Sequence, residues 1–169
     1  IVKNNLAGEV NSSYSVFDFE KAGTLNKSYL LRQLIIKDSL ELKLNYFLKL
    51  KLNTALRFSE QGNFFWQNFS SQPTRFLEEK LFEGKIETQW MHWIFRLGIK
   101  HFSLLTFSYA KDYSRSKISD YYVTSPIFET DCRYEKILLN FTGSLDYIKT
   151  ENKETKINPF IDLVIKYNF

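Results

Sequence analysis

The chain has 169 residues, 44% hydrophobic and 17% aromatic, with 23 basic and 19 acidic residues for a net charge of +4. That is the length of one domain, and it lacks any stretch of about 18 apolar residues that would make a transmembrane helix. The two charge signs are interleaved without a basic block, which argues against nucleic acid, and the single Cys132 excludes an internal disulfide.

No Cys/His cluster has metal-ligand spacing, and no cofactor is expected. Mean hydropathy is −0.31. A chain in which only alternate residues meet lipid keeps such an average, so the value does not exclude a membrane-crossing sheet. The chain opens on Ile1 without a signal-peptide pattern. The expectation is a processed form or a piece of a longer chain.

The first strand is expected over Val10 to Phe19, followed by a loop over Lys21 to Lys27, which holds Gly23 and Asn26. A second strand runs from Ser28 to Lys37, and Lys37-Asp38-Ser39 reads as a short turn that makes a hairpin with the next strand.

The run Leu40 to Phe58 is the most regular in the chain. Leu40, Leu42, Leu44, Tyr46, Leu48, Leu50, Leu52, Thr54, Leu56 and Phe58 alternate with Glu41, Lys43, Asn45, Phe47, Lys49, Lys51, Asn53, Ala55 and Arg57. Successive side chains of a strand point to opposite faces, so this strand has one apolar face and one charged face. As a helix the same spacing would smear leucine around every side. Ten alternating apolar positions also exceed a soluble strand of about 5–6 residues. A soluble all-β domain ending on an edge strand is the competing reading. Lipid on one side and a wet lumen on the other account for the length better.

Ser59 to Glu79 reads as a long loop with Gly62 and Pro73. Its aromatics, Phe64, Phe65, Trp66 and Phe69, are candidates for a partner contact, because exposed aromatic clusters tend to mark interfaces. The alternative is that the loop folds back over them.

Lys80 to Arg96 is the fourth strand, with Met91, Trp93 and Phe95 toward lipid and His92, Arg96 and Lys100 opposite; a turn is expected around Gly98. Phe102 to Lys111 is the fifth strand and Asp112 to Lys117 a loop. Ser119 to Phe128 is the sixth, with Pro126 expected at its end, since proline cannot donate to a ladder. Arg133 to Tyr147, a charged loop over Lys149 to Lys156, and Ile157 to Phe169 complete eight strands. The connections alternate long and short, as in outer-membrane barrels, and the longest strands should protrude outside the membrane.

Two sites bear on chemistry. His92 and Arg96 share the polar face, where an acid/base site competes with a simple ion-pair network. An eight-stranded barrel is filled by its own side chains, so Glu41, Lys43, Lys49, Lys51, Arg57, Asp162 and Lys166 need partners such as Glu87, Glu135 or Asp146. His101 and Ser103 lie two apart on one strand face, where a histidine can activate a serine. This triplet resembles the His-x-Ser of the lipid A deacylases. It departs from them at Leu104, where they carry asparagine, and Asn158-Pro159 lacks the glycine of their Asn-Pro-Gly stretch. The expectation is that the chain is not an enzyme.

The last ten residues, FIDLVIKYNF, resemble the C-terminal β-signal of bacterial outer-membrane proteins. Phe169 matches the terminal aromatic, and Ile161, Leu163, Ile165 and Tyr167 match the alternating hydrophobics before it. The resemblance implies an all-β fold, an antiparallel transmembrane β-barrel in the bacterial outer membrane. It implies as partners the barrel assembly machinery, membrane lipid and lipopolysaccharide, and other outer-membrane proteins. One domain over residues 1–169 is expected, acting as a structural or accessory subunit. The alternative is that these are the C-terminal strands of a larger transporter or secretion barrel.

Overall fold

A computed structural model describes residues 1–16, 28–65, 68–151 and 154–167. Among them the chain forms one antiparallel sheet of eight strands in sequence order. The strands are β1 (Val2–Ser15), β2 (Tyr29–Lys43), β3 (Leu48–Phe65), β4 (Ser70–Trp90), β5 (Trp93–Tyr109), β6 (Arg115–Tyr134), β7 (Ile137–Thr150) and β8 (Lys156–Tyr167). β1 and β8 are edges that do not pair with each other, so the sheet is an open meander.

Several boundaries differ from the sequence expectation. The run Leu40 to Phe58 is two strands. Leu40 to Lys43 end β2, and a turn over residues 44–47 leads into β3. Asn45 makes this turn: its Oδ1 accepts the backbone N–H of Phe47 at 2.9 Å and of Leu48 at 2.8 Å. Lys37-Asp38-Ser39 is not a turn but mid-strand, paired with Thr54 and its neighbours across β3.

The expected loop Ser59 to Glu79 is mostly strand, with only residues 66–69 between β3 and β4. The turn expected at Gly98 falls instead at residues 91–92, and Gly98 is mid-strand on β5. A Cβ there would run into the carbonyl oxygen of Gly84 on β4, so glycine permits close approach of the two backbones. Ser119 to Phe128 is part of the longer β6, whose chain turns at residues 135–136. In both two-residue turns the first residue, Met91 or Glu135, has a left-handed φ of 52° or 47°.

One end of the sheet carries the tight connections 44–47, 91–92 and 135–136; the other carries connections of at least four residues, 66–69 being as short as 44–47. The expected loop over Lys21 to Lys27 lies outside the described residues.

Candidate functional surfaces

Strand register sorts every side chain onto one of two faces. On one face lie Lys49, Lys51 and Asn53 of β3, facing Glu87, Lys85 and Glu83 of β4. Arg96 and Lys100 of β5, Glu129 and Ser125 of β6, and Thr142 of β7 continue it. On the other face lie Leu48, Leu50, Leu52 and Leu56, then Ile86, Leu97, Phe128, Leu139 and Ile161.

The curvature follows from a cavity that opens on the charged face and is lined by residues from β4 (Glu83) to β8 (Phe160); Glu87 on that face is 4% exposed and Leu97 on the apolar face 64%. The charged face is concave and the apolar face convex. This is the reverse of a soluble sheet, which hides its leucines.

The concave face holds a connected charge network. Glu87 accepts from Lys49 at 2.9 Å, Lys51 at 2.7 Å and Arg96 at 2.8 Å. Arg96 also bridges to Asp131 at 2.7 Å and Glu129 at 3.7 Å, and Asn140 donates to Asp131 from β7. Glu129 takes Lys85 at 2.8 Å, which in turn reaches Glu83 at 3.3 Å. Four cations and four anions are thus joined, and their charges cancel. Of the acids expected to supply this balance, Glu87 does so; Glu135 lies in a turn and Asp146 lies higher on the concave face, within 3.4 Å of Ser144 Oγ. Arg57 pairs with Glu79. Beside the network, a cavity of about 640 Å³ is lined by Lys100, Phe102, Tyr121, Asp146 and Phe160, among others.

The convex face carries a band bordered by aromatics. At the tight-turn end Tyr46, Phe47, Trp90, Trp93, Tyr134 and Tyr167 are all exposed. About ten residues up the strands stand Phe58 and Tyr147, with Tyr122 just above them. Ten residues at about 3.3 Å each span about 33 Å along a strand. Between the borders one carboxylate, Asp38, faces outward at mid-height, and its Oδ1 is buried without a hydrogen-bond partner.

Ile161, Leu163, Ile165 and Tyr167 all stand exposed on the convex side of β8. Phe169 lies outside the described residues. The aromatic segment is divided. Phe64, next to last in β3, is buried against Tyr14 and Phe69, with ring centroids 5.0 and 6.2 Å away. Phe65 is exposed and Phe69 is 86% exposed; Trp66 lies outside the described residues.

His101 and Ser103 share the convex face of β5, where His101 Nδ1 lies 2.9 Å from Thr124 Oγ1. His92 sits in the 91–92 turn with its ring against Tyr134, and it lines a cavity with Asp131, one of the acids of Arg96. Above the band, Tyr109 donates to Glu60 at 2.9 Å; burial, followed by the Glu60 carboxylate, pushes its hydroxyl above the ordinary tyrosine range.

The sequence reading expected an ion-pair network that holds Lys49, Lys51, Arg96 and Glu87, and the structure joins these four; Lys85, Glu83, Glu129 and Asp131 were not read from the sequence. Their signal was parity: residues that alternate on several strands meet only once the register is fixed. No family model matches the chain, and no curated protein or solved structure is significantly similar to it.

Proposed function

We propose that this chain is an integral outer-membrane β-barrel protein, a non-enzymatic structural or accessory subunit. The observation that carries the reading is the convex apolar band with its aromatic border, backed by a charged concave face. Lipid cannot satisfy free backbone groups, so strands cross a membrane only in a closed sheet. The barrel is therefore the state in which the band meets lipid and the neutral charge network lines the interior.

β3 to β6 have 18, 21, 17 and 20 residues, well beyond the about 10 needed to cross. Their upper parts form an extension outside the membrane, where Arg32, Arg115 and Lys117 meet lipopolysaccharide phosphates. Phe65 and Phe69 at its rim dock a partner protein of the outer membrane. Entry into the membrane runs through the barrel assembly machinery, read from β8.

A second reading is favoured by one observation. Every ion pair on the concave face joins residues on the same strand, adjacent strands or next-but-one strands, among the described residues. Such lateral pairing suits an arc of a larger barrel, one belonging to a transporter or secretion pore.

The test of the membrane reading is refolding into phospholipid vesicles. Carbonate-resistant association and protection of the band from protease are expected. A protein washed off by carbonate would contradict the reading.

A further inference from the structure

We infer that in the membrane β1 and β8, unpaired edges of the sheet in this structure, pair with each other in one register, in which each paired β1 and β8 residue number sums to 173, as Val10 with Leu163. The inference rests on the barrel reading and deepens it.

The register already present constrains the closure. A line perpendicular to the strands starts at Val2 and passes Leu42, Leu50, Ile86, Leu97, Phe128 and Gly143 to reach Ile161. Val2 is the first residue of β1, but Ile161 lies six residues before the end of β8 at Tyr167. The sheet has thus accumulated a six-residue stagger along the tight-turn end. Stagger is what strand tilt in a barrel demands, and its total around the circle is the shear. β1 ascends from the tight-turn end and β8 descends to it, so their pairing is antiparallel. Only an even shear keeps both apolar faces outward.

Two independent criteria then choose among the even values. The first is tilt. With about 3.3 Å per residue and about 4.8 Å between strands, shears of six, eight, ten and twelve tilt eight strands by about 27°, 35°, 41° and 46°, against an observed range of about 35–45°. The second is charge on the concave side. Six sets Lys166 opposite Lys3, and eight sets Asp162 opposite Glu9; like charges directly opposite destabilise a pair. Ten sets Asp162 opposite Asn11 and Lys166 opposite Ala7, with Glu9 diagonal to both Lys166 and Asp162, so no two like charges stand directly opposite. Twelve brings Lys166 opposite Glu9, but it stands at the upper limit of the tilt range and leaves Val2 to Ala7 without a partner among the described residues of β8. Ten satisfies both criteria. It also sets Leu6 beside Tyr167 and Gly8 beside Ile165 on the outer face.

The experiment uses the full chain with Cys132→Ser, refolded in phospholipid vesicles, with three cysteine pairs: Val10→Cys with Leu163→Cys, and the shifted pairs Val10→Cys with Ile161→Cys or Ile165→Cys. Oxidative cross-linking is read as an intrachain band shift reversed by reductant. The first pair should cross-link several-fold more than either shifted pair. Preference for a shifted pair overturns the register. Carbonate-resistant protein with no intrachain cross-link in any pair overturns the closure while the membrane reading stands; further strands then flank β1 and β8. Interchain dimers alone overturn it in favour of a barrel shared by two copies. Cross-linking of the first pair in protein that carbonate removes would keep the closure and sink the membrane reading.

Discussion

Arg96 stands opposite Glu129 on β6 and beside Glu87 on β4, and its Nε donates to Glu87 Oε2 at 2.8 Å. The Glu87 side chain is only 5% exposed and contacts Lys49, Lys51 and Arg96 at the centre of the concave face. Removing it leaves Lys49 and Lys51, both about a third exposed, without their carboxylate, while Arg96 keeps Asp131 and Glu129. Glu87→Gln should cost about 3 kcal/mol, the scale of a broken buried pair. Arg57→Ala, which breaks a pair with both partners more than a quarter exposed, should cost about 0–1 kcal/mol. Urea midpoints in detergent micelles check both, and equal losses would show that Glu87 is not central.

Asp38 has the opposite character. Its carboxylate sits at mid-height on the convex face with a buried, unpartnered oxygen. Asp38→Leu removes that desolvated group and should stabilise the refolded protein by about 1–3 kcal/mol. Destabilisation in the same urea titration would mean that the carboxylate has a partner.

Glu135 opens the 135–136 turn with a left-handed φ of 47°. A side chain there costs roughly 1–2 kcal/mol, which glycine avoids at some entropic cost. Glu135→Gly should gain about 0.5–1 kcal/mol, checked by thermal unfolding. A loss would place a contact of the glutamate above its backbone strain.

The eight strands and the two-faced character of the sheet were legible because alternation is a local signal. Boundaries were not, for particular reasons. Leu44 and Tyr46 continue the parity of Leu42 and Leu48, so the turn at 44–47 hides inside an unbroken pattern, and only Asn45 marks it. Between Ser59 and Glu79 the strands have left the apolar band, polar and aromatic residues mix on both faces, and the alternation that identifies a strand disappears. Gly98 imitates a turn because its cause, the Gly84 carbonyl on β4, lies far away in sequence. His101 and Ser103 share a face as their spacing requires, and the histidine's Nδ1 is hydrogen-bonded with Thr124 Oγ1 on β6.

Leu97 lies near mid-height of the band and points outward. Leu97→Arg should cost about 2–4 kcal/mol in a bilayer, the depth-dependent penalty of a lipid-facing cation. The same change should be nearly neutral, within about 0.5 kcal/mol, if that surface faces water, as for other exposed positions. Unfolding titrations in vesicles separate the two.

The most direct test of the central claim compares the two faces. A fluorophore is attached at Leu97→Cys on the convex face or at Thr142→Cys on the concave face, each with Cys132→Ser, in vesicles containing chain-brominated lipid. Quenching by the lipid at position 97, with little at position 142, is the predicted result. Quenching of position 97 by aqueous iodide, without any from the brominated lipid, would contradict the account.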